Sequence, residues 1–449
     1  MKKCSILLTL IFSAALSCSH AAENRQELGD IPQIWTEKKA VAFAFAGNPD
    51  STIALKRIEE ARATASMVGA ADYPLINISA QYRQTDNPMY SFGNILNQGT
   101  FNNSIDFNDP GRTDDLQLQA MVKYRIYNGG RDQAAGRSAR AGIAVAQTNL
   151  TAVHHQLGFE VVKTFQAIIQ AEKMVTVRSE ALNAINAAFR VGKARYDAGD
   201  LLRQDLLNLE LQQSRASENL IKSKHVLALT KRSFLNLLGL RKGKVVIDAS
   251  SGSEQKIPDS FTYDKRYELK RLDAQEEAAR AELARARGGN LPTVDTFASY
   301  QWDKGWVIDG DGDSWMAGIR VDYTLFDGKR TQSQIARAKT KLLEIQGIRK
   351  KTELALHLEI ERARLDYEQA KKRVGVTEKM VGVAEEVARL SRARFKEGVI
   401  LASDLIDFEM RLSDARARHL AAKASYRIAI ASLRKATGLK QFSAQDIQQ

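Results

Sequence analysis

The chain has 449 residues, of which 44% are hydrophobic and 27% charged, and it carries a formal net charge of +13 with only 7 prolines. That is the balance of a folded protein with two or three domains, or one large repetitive one, and it excludes a disordered chain. Basic residues alternate with acidic ones, as in KRIEEAR (56–62) and EIERARLDYEQAKKR (359–373), which describes solvated helix faces and not a nucleic-acid patch.

Lys2 and Lys3 precede an apolar run from Ile6 to Leu16, and the small residues Ser17, Ser19 and Ala21 follow. This is the pattern of a secretory signal peptide over residues 1–21, with Ser19-His20-Ala21 at the cleavage site. The rival reading is lipid attachment at Cys18, after Ala15-Leu16-Ser17, a poor lipobox with its leucine one place late. Cys4 is lost either way, so no disulfide framework is available. No later stretch approaches the roughly 18 apolar residues of a spanning helix. An exported chain of this kind is periplasmic, secreted, or an outer-membrane β-barrel.

Beyond the leader the sequence is written twice. YNGGR (127–131) returns as FDGKR (326–330), RYDAGDLLRQDLL (195–207) as RFKEGVILASDLI (394–406), and NLLGL (236–240) as KATGL (435–439). From Gly129 to Gly328, Gly199 to Gly398 and Gly239 to Gly438 the offset is 199 each time, the mark of a tandem duplication. The repeats occupy 22–240 and 264–439, with a linking segment at 241–263 and a tail at 440–449.

Each repeat opens with a helix (41–68 and 267–287) ended by a proline, Pro74 or Pro292. The period then changes to two. Apolar and polar residues alternate through Ile76–Tyr82 and Leu116–Ile126, and again through Val294–Trp302 and Ala317–Leu325. One face is apolar and aromatic; the other carries Gln117, Gln119, Lys123 and Arg125, which fits a water-filled barrel in lipid better than the alternative, a half-buried sheet on a soluble core. Eleven residues suffice for a tilted transmembrane strand. Four strands cannot close a barrel alone, so subunits must share it. A long helix follows in each repeat (131–198 and 330–397), then a glycine turn and a helix half as long (205–238 and 404–437). A rod of 68 residues spans about 100 Å, so each repeat reads as a long helix beside two shorter ones.

Helix, two strands, long helix and short helix in that order, twice, with the turn after the second strand and the glycine-centred hairpin, resemble the TolC family of outer-membrane export channels. The resemblance implies a mixed all-α fold with a membrane β-barrel: a homotrimer whose twelve-stranded β-barrel, four strands per chain, continues as a long α-helical barrel into the periplasm, with 241–263 in an equatorial belt. It also implies a passive duct for small molecules, driven by an inner-membrane pump of RND or ABC type through a periplasmic adaptor (membrane fusion) protein. The alternatives are the outer component of a type I protein secretion system and, more distantly, a periplasmic adaptor-like hairpin protein.

The family's adaptor docks at the hairpin tips, which fall here on Gly199, Leu201 and Leu202 and on Gly398, Val399, Ile400 and Leu401. Asp200 departs from the apolar pattern of the first turn. Inward carboxylates that narrow the family's entrance fall six and nine residues after the second-repeat glycine, on Asp404 and Asp407. The first repeat offers Asp205 but Asn208. Asp205 and Asp404 also suit the first turn of a helix, where a carboxylate meets free amides and the helix dipole. Where some relatives have a tyrosine and an arginine locking the tip, this chain has Phe395 and Ile400, and Arg203 is the substitute at hand.

Other motifs yield no chemistry. Asp309-Gly310-Asp311-Gly312-Asp313 resembles a calcium loop, but its twelfth position is Arg320 instead of Glu, so it reads as a polar hairpin loop. The longer loop 83–115 either plugs the outer mouth with its aromatics or folds over the rim. His154 and His155 are neighbours that point apart on a helix. With no Ser–His–Asp set, P-loop or HExxH, nothing argues for an enzyme or a cofactor.

Overall fold

A computed structural model describes residues 31–249 and 255–442. The signal-peptide and Cys18 readings lie outside them. The first repeat contains α1 (Glu37–Gly47), α2 (Pro49–Gly69), β1 (Leu75–Thr85), α3 (Pro88–Asn97), β2 (Thr113–Tyr127), α4 (Arg131–Asp197) and α5 (Arg203–Leu237). The second contains α6 (Tyr267–Arg287), β3 (Thr293–Lys304), β4 (Asp311–Asp322), α7 (Arg330–Lys396) and α8 (Ala402–Ala436). Among the described residues, no helix is long and apolar enough to cross a membrane.

The duplication is reproduced residue for residue. α4 and α7 each have 67 residues and α5 and α8 each have 35, and all four pairs of ends keep the sequence offset. The turn motif starts the long helices. Asp327 Oδ2 accepts from the Thr331 amide at 2.8 Å, and Asn128 Oδ1 faces the Asp132 amide at 3.4 Å. The single opening helix expected in the first repeat is two. Asn48-Pro49 breaks it, because proline has no amide to continue α1 and is preorganised to begin α2.

The long helices carry two shorter ones each, stacked end to end. Asn48 Nδ2 donates to the Leu237 carbonyl at 2.8 Å, joining the end of α5 to the start of α2. In the second repeat Arg266 Nη1 donates to the Lys435 and Ala436 carbonyls at 2.9 and 3.0 Å, joining α8 to α6. α4 packs against α2, α5, α6 and α8, and α7 packs against α6 and α8. The main core lies where α1 meets the middle of α4 and the end of α5: Trp35, Val41, Val161, Phe165, Ile168, Phe234 and Leu238. Trp35 sits edge-on to Phe43 at 5.3 Å and to Phe234 at 5.7 Å, and it bridges to Ile247 of the linking segment.

The strands form one antiparallel sheet in the order β1-β2-β3-β4. Its registers place Ile76, Ile78, Val122, Tyr124, Tyr300, Trp315, Ile319 and Val321 on one face, and most are exposed. Gln117, Gln119, Lys123, Arg125, Gln301 and Arg320 occupy the other. Among the described residues, β1 and β4 each have one unpaired edge.

The long loop holds an unforeseen helix, α3, that lies across the polar face at the far end of the sheet. Asn94 Nδ2 donates to Thr113 Oγ1 at 2.9 Å and Gln98 Nε2 to the Asp114 carbonyl at 2.8 Å. Phe92, Phe101 and Phe107 cluster beside it, with Phe92 and Phe107 at 4.4 Å. The DGDGD glycines serve this packing: a Cβ on Gly312 would stand 2.1 Å from the Asn97 carbonyl oxygen, and one on Gly310 would stand 2.6 Å from that of Gln98. The motif that resembled a calcium loop is a seat for α3.

Candidate entrance at the hairpin tips

The far ends of the helices, opposite the sheet, form two hairpin tips. Each long helix stops at a glycine with positive φ, 87° at Gly199 and 78° at Gly398. In both, the glycine amide donates three residues back, Gly199 to Tyr196 at 3.0 Å and Gly398 to Phe395 at 3.1 Å. The next amide reaches five back, Asp200 to Arg195 at 2.8 Å and Val399 to Arg394 at 2.9 Å. This paired closure satisfies the last carbonyls of the helix, and glycine allows it without a Cβ penalty.

The apolar residues after each glycine divide. Leu201 and Ile400 turn inward onto a small core of Ala188, Leu209, Phe395, Ala402 and Leu405. Leu202, Val399 and Leu401 point outward and are 71%, 71% and 64% exposed. Of the residues assigned by resemblance to docking, the outward three are available to a partner, while Leu201 and Ile400 hold the tip together.

Asp205 and Asp404 occupy the third position of α5 and α8, whose N-caps are Leu202 and Leu401 with no side-chain cap bond. Their charge sits in the helix dipole, but neither is the capping residue. Asp404 is exposed. Asp407 lies one turn on and forms an ion pair with Arg411 at 2.7 Å, with roughly half of each side chain or more in solvent. A local cation therefore offsets its charge.

At the tip itself Arg195, and not Arg203, crosses from the first hairpin to the second. Its Nη1 donates to the Phe395 carbonyl at 3.3 Å, its Nη2 to the Asp200 carbonyl at 3.2 Å, and its guanidinium lies 5.5 Å from the Phe395 ring centre. The duplication carried a signal for it, since an arginine stands four residues before each tip glycine. Just above, Arg392 forms a two-pronged pair with Glu409, which is 6% exposed. The hydrogen bonds it donates to Glu409 hold the Arg392 guanidinium above its usual range. Arg416 bridges Glu180 at 2.7 Å and Glu385 at 2.8 Å. These pairs border a groove of about 470 Å³ floored by Ala181, Ala184, Ala188 and Val191. Sequence spacing could not find them, because their partners sit on different helices.

The outer membrane efflux protein family matches residues 43–240 and 263–439. The chain is 23% identical over 219 residues to outer membrane efflux protein BepC of Brucella suis biovar 1 (strain 1330), covering 46% of this chain and about half (48%) of that relative. It is 20% identical over 397 residues to nodulation protein T of Rhizobium leguminosarum bv. trifolii, covering 84% and 80%. The fold is similar to the CmeC outer membrane channel of Campylobacter jejuni, with a TM-score of 0.78 at 15% identity over 91% of this chain and 87% of that one. The sequence resemblance is borne out: this chain belongs to the outer membrane efflux protein family and has the TolC-like fold.

Proposed function

We propose that three copies of this chain form a passive outer-membrane duct that carries small molecules out of the periplasm. The observation that supports it best is the sheet. It has an exposed apolar face, an opposite polar face and two unpaired edges. Lipid tolerates no unpaired backbone edge, so such a sheet is stable in a bilayer only when copies close it. Three copies give twelve strands, with the polar residues lining an aqueous lumen. The helices, about 100 Å long, extend the lumen as a tunnel to the hairpin tips.

At the tips, Asp404 and Asp407, and Asp205 from the first repeat, would ring the entrance and favour cations. Leu202, Val399 and Leu401 would meet a periplasmic adaptor linked to an inner-membrane pump. Arg195 would latch the two hairpins of each copy while the entrance is shut. The family description supports efflux over protein secretion. Detergent-purified protein should have the mass of a trimer by light scattering and should form cation-selective channels in planar bilayers. A monomer without conductance would overturn the proposal.

A further inference from the structure

The duplication carries structural information about a surface that a single chain leaves open. Within the chain, β1 pairs with β2 as β3 pairs with β4. Leu75 opposite Lys123 becomes Thr293 opposite Asp322, and Thr85 opposite Thr113 becomes Asp303 opposite Gly312. One operation therefore carries the first repeat onto the second without a slip, in strands as in helices. In a closed ring of three copies, the same operation would carry the second repeat onto the first repeat of a neighbouring copy. The strand pairs and the tip contact from repeat one to repeat two would then have counterparts between copies, whereas the seat of α3 would not, since the described residues of the second repeat hold no such helix.

We infer that β4 adds to β1 of a second copy in the register that β2 and β3 show, with Val321 opposite Ala80 of the partner subunit, and that Arg394 seats over Tyr196 of the partner subunit at the tip. This rests on the proposed assembly and specifies its contacts. The β2–β3 pairs Ala120–Tyr300, Val122–Ala298 and Tyr124–Thr296 become Ile319, Val321 and Tyr323 opposite Tyr82, Ala80 and Ile78 of the partner subunit. Nothing in the operation requires these to match in polarity, yet each apolar residue meets an apolar one. On the other face Arg320 meets Gln81 of the partner subunit. A slip of one residue would set every pair on opposite faces, so polarity excludes odd slips and leaves the even ones to the repeat's own register.

At the tip the same operation turns Arg195 into Arg394 and Phe395 into Tyr196. Arg195 donates to the Phe395 carbonyl and lies over its ring. Arg394 and Tyr196 are both exposed on this copy. The Tyr196 carbonyl already accepts from the Gly199 amide, as the Phe395 carbonyl does from Gly398 while also taking Arg195, so an arginine can be added over ring and carbonyl in the same way. The entrance would thus be held by six arginine–aromatic contacts, three within copies and three between them.

Cysteine pairs test the register. Val321→Cys with Ala80→Cys should cross-link under mild oxidation into reducible multimers, while Val321→Cys with Tyr82→Cys, two residues out of step on the same face, should not. A protein that is trimeric by light scattering but cross-links only at the second pair overturns the register and leaves the assembly standing; a monomer overturns the assembly itself. For the tip, Arg394→Ala and Tyr196→Ala should each raise the closed-state conductance several-fold, and the double variant should be no leakier than either. Additive effects, or none, overturn the contact between copies.

Discussion

The guanidinium of Arg195 stacks over the ring of Phe395, 5.5 Å from its centre, and donates to the Phe395 carbonyl at 3.3 Å, tying the end of α4 to the end of α7. Phe395 is itself 2% exposed, so this contact rests on the tip core and not on a loose side chain. A cation over a ring contributes about 0.5–1 kcal/mol at such half-exposed sites. The hydrogen bond that crosses to the Phe395 carbonyl adds about 0.5–1.5 kcal/mol, whereas the one to the Asp200 carbonyl stays within its own hairpin. Arg195→Ala should therefore favour the open entrance by roughly 5- to 70-fold, and Arg195→Lys should recover only part, because an ammonium cannot span ring and carbonyl at once. Closed-state conductance in planar bilayers is the measurement. Equal conductance for both variants and the parent would remove the latch.

The carboxylates at the entrance are unequal. Asp404 is exposed in the first turn of α8, whereas Asp407 already faces Arg411 at 2.7 Å. Asp404→Ala should weaken block by multivalent cations applied from the periplasmic side more than Asp407→Ala does. Arg411→Ala should strengthen it by releasing the Asp407 charge. Block that is indifferent to all three changes would take the ring away from these residues.

Gly312 has no room for a side chain, since a Cβ there would lie 2.1 Å from the Asn97 carbonyl oxygen. Backbone cannot yield as a flexible side chain can, so Gly312→Ala should displace α3 at a cost of about 1–3 kcal/mol. Chymotrypsin should then cut at Phe92 or Phe101 well before it cuts the parent protein. Intact loops after equal digestion would show that α3 does not depend on this seat.

His155 lies against Tyr267, and its imidazole is held down to about 4, chiefly by burial, with Lys440 and Arg266 adding repulsion against the pull of Glu268. The unfolded chain takes up this proton below the ordinary value of 6.5, the folded chain only near 4. The unfolded state thus binds more protons in that window, and stability falls as pH drops from 6.5 to 4. Glu37, raised by burial, has the opposite sign and loses stability as pH rises above its ordinary range. His155→Gln should flatten the acid limb of the thermal midpoint measured from pH 7 to pH 4.5. A limb as steep as the parent's would assign it to other groups, His154 first among them.

The sequence by itself determined the periodic and local features. The exact duplication, the change from helical to two-residue period at Pro74 and Pro292, and the glycine turns at 199 and 398 all depend on residues close together in the chain, and most helices and strands lie within a few residues of where those signals put them, the exception being β4, which begins six residues before Ala317 and stops short of Tyr323 and Leu325. It also placed the polar and apolar faces of the sheet, because alternation along a strand fixes which side each residue takes. Only the tertiary structure decided what distant segments do to one another. It turned Leu201 and Ile400 inward, gave Asp407 its cation, and chose Arg195 over Arg203 as the residue crossing the tip. It also showed that the glycines of DGDGD make room for a helix more than two hundred residues earlier in the chain. The division follows from the physics. Periodicity and turn chemistry are set by neighbours in sequence, while the partner of a buried charge or the occupant of a glycine's empty space is set by which helices the fold brings together.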